Sequence, residues 1–263
     1  MKNYKSILVI LSIGIASCSS CKKDDDTATT TYQPGSVTLE YENVVNGIHV
    51  DISGGTNYIN AAGDTFNITL LKYYISNVEL LKSDGSYYKV PESYYLINEA
   101  NVSMHNAVMT DIPGGVYTGI RYMVGVDSTR NVSGAQSGAL DVGNLMFWTW
   151  NSGYIFFKLE GTSPAAISGT NPTGDYYLHI GGFKQSTGAN MRTITAAFGE
   201  NLTVDGSREA EIHTTVDIQE LFKNPVDISL AVDNDVMAPG PVATKIANNY
   251  VDMFQFEHIH NAK

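Results

Sequence analysis

The stretch Leu145 to Gly161, LMFWTWNSGYIFFKLEG, decides how the rest of the chain is read. It holds both tryptophans, Trp148 and Trp150, and four further aromatics. Tryptophans at i and i+2 in an extended run point to the same face of one strand. By residue type alone such a pair reads first as a plug between two sheets, and only then as a site. The sequence on either side has to choose between the two.

Upstream, Val37 to Val45, VTLEYENVV, alternates apolar and polar residues as a half-buried strand does, and an Asn46-Gly47 turn returns the chain through Ile48 to Ile52. Phe66 to Leu81, FNITLLKYYISNVELL, alternates in the same way but divides at Ser76-Asn77, which predicts one bent or bulged strand. Gly119 to Val126 has a buried-strand composition, and Asp127 to Asp141, rich in Gly, Ser and Asn, is expected to be a long functional loop. Downstream, strands are expected at Asp175 to Phe183, Asn190 to Leu202, Glu211 to Val216 and Val226 to Ala231. Only Ile218 to Lys223, behind Asp217 as an N-cap, reads as a helical turn, while Asp233 to Val242 reads as a Pro/Gly loop. The chain closes on a strand-like run, Tyr250 to Phe256, followed by Glu257-His258-Ile259-His260.

With 24 Gly, 16 Tyr, 9 Phe, 16% charged residues and no fixed-period repeat, the pattern predicts an all-β fold. The expected architecture is a single-domain, two-sheet antiparallel β-sandwich with long loops over residues 36–263.

Residues 1–17 read as an export signal. Lys2 and Lys5 make a basic start, Ile7 to Ala16 is an apolar run too short for a permanent anchor, and small residues precede a cysteine. Ile15-Ala16-Ser17-Cys18 resembles a lipobox, so Cys18 is the expected lipidation site. Residues 18–35, with Lys22-Lys23-Asp24-Asp25-Asp26 and a polar TATTTYQPG segment, are expected to form an acidic, polar tether. Such an acidic run behind a lipidated cysteine resembles the surface-export signal of Bacteroidota lipoproteins. The expected location is therefore the outer membrane, on the cell surface or its periplasmic face.

Both cysteines, Cys18 and Cys21, lie in this leader. The body beyond it therefore has no disulfide framework, thiolate metal site or cysteine nucleophile. Loss of residues 1–17 removes two lysines and no acid, so the formal charge goes from −11 to −13. An acidic surface of that size argues against nucleic acid and anionic lipid as partners.

A phosphate-binding Gly-rich loop, HExxH and GxSxG are all missing, so an enzyme is not expected. What remains for chemistry is six histidines. His258 and His260 are two residues apart, so in a strand both imidazoles face one way and can clamp one ion. Imidazole with thioether or carboxylate donors suits copper better than zinc. His49 and His105 read as ordinary polar positions.

Three blocks carry a family resemblance: Leu71-Lys72-Tyr73-Tyr74-Ile75-Ser76-Asn77-Val78; Met146 to Tyr154 with Lys158-Leu159-Glu160-Gly161; and Leu178-His179-Ile180-Gly181-Gly182. Together they resemble the MbnP-like family of copper-binding proteins associated with methanobactin. The resemblance implies a secreted or surface β-sandwich that holds copper through histidines. It also implies a dihaem, peroxidase-type partner that oxidises a tryptophan, here Trp148 with Trp150 as its neighbour. Copper-binding members carry a histidine two residues after that tryptophan, where this chain has Trp150. The expected ligands are therefore His179, His213, His258 and His260 in some combination. The expected function is a lipoprotein that binds copper for acquisition, storage or delivery without turnover. The alternative is a carbohydrate- or peptide-binding lipoprotein that uses exposed aromatics.

Overall fold

The computed structural model describes residues 31–149, 151–184, 189–206 and 208–261. Cys18, Trp150 and most of the expected tether lie outside the described residues. In chain order the strands are β1 (Gly35–Val45), β2 (Ile48–His49), β3 (Tyr58–Ile59), β4 (Thr65–Phe66), β5 (Leu70–Lys82), β6 (Tyr87–Lys89), β7 (Tyr94–Asn98) and β8 (Asn106–Ile112). They continue with β9 (Gly115–Val124), β10 (Phe147–Thr149), β11 (Gly153–Thr162), β12 (Asp175–Gly181), β13 (Arg192–Val204), β14 (Ala210–Asp217), β15 (Asp235–Val236) and β16 (Phe254–Asn261).

Two sheets face each other, as the alternation in β1 and β14 requires. The smaller runs β16-β14-β1-β2 with β8 beside β1, and the larger runs β13-β9-β5-β11-β12-β15 with β6, β7 and β10 at its margins. Val37, Leu39 and Tyr41 of β1 and Ile212 and Val216 of β14 turn inward to meet Leu71, Tyr73, Phe157, Leu159 and Leu178 of the larger sheet in one core. Tyr41 meets Tyr73, Tyr122 and Phe254 edge-on at 6.1–6.3 Å, and Phe157 stacks on Tyr73 at 5.7 Å. Each large side chain withdrawn from water in this way contributes about 1.5–3 kcal/mol.

Among the described residues the pairing is antiparallel with two exceptions, β1 with β14 and β12 with β15, which run parallel. Pairing of the first strand with one that comes some 170 residues later leaves no local signature, because the alternation of each strand is the same in either direction. The bend expected at Ser76-Asn77 is a bulge in β5, where the register with β9 shifts between Ser76 and Glu79 and Asn77 takes a φ of 50°.

Three readings are corrected. Residues 226–231 form no strand; their backbone is held by side chains and a turn, with Val226 N–H donating to Asn249 Oδ1 at 3.1 Å and Leu230 N–H to Asp64 Oδ2 at 2.7 Å. The end of the Pro/Gly loop begins a helix instead, Pro241–Asn249, which buries Ala243, Ile246 and Ala247. Finally, Tyr32 to Pro34 are packed rather than free: Gly206 N–H donates to Gln33 O at 3.1 Å, and a Cβ at Gly114 would lie 2.4 Å from the Tyr32 carbonyl carbon.

The expected functional loop is a roof. Between β9 and β10 a short helix, Ser128–Asn131, and two 3-10 turns cover the outer face of the larger sheet and close a second apolar cluster with Tyr74, Met146, Tyr154 and Phe156. Tyr154 OH donates to Leu140 O at 2.6 Å, Tyr74 OH to Ala139 O at 2.9 Å, and Tyr154 N–H to the buried Asn131 at 2.8 Å, so this loop is bolted down from below.

Candidate metal centre

Alternation in β14 is strict. Ala210, Ile212, Thr214 and Val216 are buried, so Glu211, His213 and Thr215 face outward. On one side the parallel β1 sets Glu40 level with His213. On the other the antiparallel β16 sets His258 level with His213 and His260 level with Glu211.

A one-residue shift makes this possible. In β16, Phe254 is buried and Phe256 packs on the core, so an unbroken strand would send His258 and His260 inward too. The register instead slips between His213 and Thr214, leaving Glu257 as the extra residue, after which Ile259 is buried and both histidines face out. Period-2 spacing predicted that the two imidazoles share a face; the bulge determines which one.

The result is a compact donor set. Glu211, His213 and His260 present one ligand atom each, all within 4.8 Å of one another. Glu211 Oε2 lies 3.7 Å from His213 Nε2 and 3.6 Å from His260 Nδ1. His213 Nδ1 contacts Glu40 Oε2 at 3.0 Å, which orients the ring, and the His258 ring stacks on it at 4.3 Å with 10° between the planes. The other nitrogen, His213 Nε2, is buried and has no hydrogen-bond partner among the described residues. Two donors each about 2.0–2.2 Å from one ion stand about 3.3–3.8 Å apart for bond angles between tetrahedral and trigonal, and both measured separations fall in that range. The residues present therefore fit a metal, with His213 already held by a carboxylate from behind.

His179 is not with them. It sits on β12, on the outer face of the larger sheet, level with Lys158 and Lys72. It is buried, its Nε2 is 2.7 Å from Glu160 Oε1, and its Nδ1 has no hydrogen-bond partner among the described residues. Burial pushes its pKa down against the opposing pull of the Glu160 hydrogen bond, and Lys158 adds to the depression. The four expected ligands thus divide into three on one sheet and one on the other.

Trp148 lies against Gly181, two residues beyond His179 on β12. It is half-buried and packs on the second apolar cluster, with its ring so close to Gly181 that a Cβ there would be 2.7 Å from Cζ3. Its Nε1 is buried and finds no hydrogen-bond partner among the described residues. Gly181 and His179, two apart on β12, share a face.

His49 and His105, read as ordinary polar positions, are brought to the smaller sheet's side instead. Together with His213 they line an open cleft of about 340 Å³. Nothing local in the sequence signals this, since the two sit in β2 and behind a 3-10 turn before β8 and meet only through the fold of β1.

A two-sheet sandwich with an outward imidazole–carboxylate cluster on one sheet and a roofed tryptophan–histidine region on the other defines the class. The MbnP family model matches residues 34–238, and the chain belongs to that family. Among solved structures, MbnP from Methylosinus trichosporium shares the fold with a TM-score of 0.55 at 16% identity, covering 88% of this chain and 100% of that one. No curated protein matches. His258 and His260 lie beyond the stretch matched by the family model, whereas His213 and Glu211 lie within it.

Proposed function

We propose that this protein binds copper, without turnover, on the outer face of its smaller sheet, with Glu211, His213 and His260 as donors and His258 as the stacked neighbour that fixes His213. The observation that carries the reading is the convergence of those three ligand atoms within 4.8 Å around a buried imidazole nitrogen that has no other partner among the described residues. Membership of the MbnP family, whose resemblance implies copper, supports the metal. For nitrogen and oxygen donors, affinity among the divalent first-row ions peaks at copper, which favours it over zinc at the same site.

The leader and Cys18 make the chain a lipoprotein tethered to the outer membrane, where such a face meets external copper. A dihaem partner of the peroxidase type would find Trp148 on the opposite sheet. The alternative, an aromatic platform for glycans, draws no support from Trp148, which is half-buried against Gly181.

Copper titration of the full chain in both oxidation states tests the reading, beside the double variant His213→Ala/His260→Ala. One copper per chain is expected, with the variant weaker by roughly a hundredfold or more, a difference of about 2.7 kcal/mol. Equal binding by the two proteins would refute it.

A further inference from the structure

The cleft beside the copper cluster has its own charge problem. Glu40, Glu42, Glu99 and Glu257 line it, and no lysine or arginine does among the described residues. Its histidines come from three elements: His49 from β2, His105 from the turn before β8, and His213 from β14.

Glu99 and His105 form the inner end. His105 Nε2 is 3.4 Å from Glu99 Oε2, and the side chains are only 21% and 13% exposed. That separation is the edge expected between two donors on one tetrahedral ion, for bonds of about 2.1 Å. The carboxylate is placed from below. Tyr73 OH, in the core, donates to Asn43 Oδ1 at 2.9 Å, and Asn43 Nδ2 donates to Glu99 Oε2 at 2.8 Å. Such an outer layer, fixed by a buried Tyr and a buried Asn, holds a ligand's orientation without adding positive charge.

His105 is equally well placed. Asn101 caps the 3-10 turn Val102–Met104 through Ser103 N–H, and the His105 carbonyl accepts from Tyr41 N–H at 3.0 Å. At the outer lip, His49 Nε2 meets Glu42 Oε1 at 3.2 Å.

We infer that this cleft is a second cation site, separate from the copper cluster, in which Glu99 and His105 with water take a borderline divalent cation of the zinc class. Imidazole with carboxylate and water is the donor set such an ion accepts, and an ion there supplies the positive charge that the cleft wall lacks. The inference shares no ligand with the copper proposal, so either can fail alone.

The test uses the full chain carrying His213→Ala/His260→Ala, which removes the first cluster, titrated with Zn(II) against a chromophoric chelator. One Zn(II) per chain is expected to remain. Adding His105→Gln or Glu99→Gln should weaken it by tenfold or more, with Co(II) as a spectroscopic probe losing its tetrahedral absorption in parallel. Thermal unfolding of each variant separates a lost ligand from a lost fold, and His105→Gln, at the cleft wall, serves if Glu99→Gln does not fold. Zn(II) binding that vanishes with His213 and His260 would overturn the inference by placing zinc in the copper cluster. Zn(II) binding unchanged in both Glu99→Gln and His105→Gln would also overturn it.

Discussion

The two outer faces of the sandwich carry histidines in opposite circumstances. On the smaller sheet, His213, His258 and His260 stand on paired strands with no covering layer among the described residues beyond their own side chains, and carboxylates from β1 and β14 surround them. On the larger sheet, loop 127–146 covers part of the face and takes hydrogen bonds from Lys72 and Lys158, the two lysines level with His179, which is as buried as a core residue and rests on a single carboxylate. The same residue type therefore has two uses. Where water and several donors can reach it, an imidazole is a ligand in waiting; where a roof excludes water, it is a neutral hydrogen-bonding group. What separates them is the layer above the sheet rather than anything in the strands themselves.

The sharpest way to break that contrast is to remove the residue that turns β16 outward. Deletion of Glu257 erases the bulge, so either His258 and His260 rotate toward the core or the strand slips along β14. Copper affinity is expected to fall at least as far as in the double histidine variant, on the order of a hundredfold, or about 2.7 kcal/mol. Circular dichroism and urea unfolding should still report a folded sandwich, since β16 is an edge strand. Retention of full affinity would mean that the outward pair does not depend on the bulge.

The opposite face is tested by Gly181→Ala. The new methyl would sit 2.5 Å from Tyr154 O and 2.7 Å from Trp148 Cζ3, and backbone cannot yield as a side-chain tip can. Overpacking of this kind costs about 1–3 kcal/mol. A lower urea midpoint and altered Trp148 fluorescence are expected, with copper binding on the smaller sheet unchanged. A change in copper affinity would show that the faces are coupled through the core.

These faces also mark what a sequence discloses. Alternation identified β1, β5 and β14, and the Ser76-Asn77 break identified the bulge in β5, because strand faces and their interruptions are written locally. The helix Pro241–Asn249 was equally local and was missed: Pro241 at its first turn, with Ala243, Ile246, Ala247 and Tyr250 at helical spacing, is its signature, hidden under Pro/Gly punctuation. The sites are another matter. The pairing of β1 with β14, the slip in β16 and the approach of His49 and His105 to Glu99 are long-range consequences of topology. So His258 and His260 were readable as a pair, whereas Glu211 was not readable as their companion, nor Glu99 as the companion of His105.

The smallest effect concerns His179 and has a definite sign. Its Nε2 faces the Glu160 carboxylate and is the donating nitrogen, which leaves the lone pair on Nδ1, where no partner exists among the described residues. A second proton would have to go there, into a buried position beside Lys158, and so burial lowers the pKa below 6.5. In the unfolded chain the same ring takes its proton at the ordinary value. Between the two pKa values the unfolded state holds more protons, so stability falls as pH drops through about 6.5 and is flat above it. His179→Gln keeps a donor toward Glu160 and cannot titrate. Urea unfolding from about pH 7.5 to pH 5 should find the variant less stable than the wild type, or equal to it, at the upper end and gaining on it steadily toward the lower. A constant difference across that range would mean that the roof does not hold His179 neutral, and the distinction between a ligand face and a covered face would have to rest on the carboxylates alone.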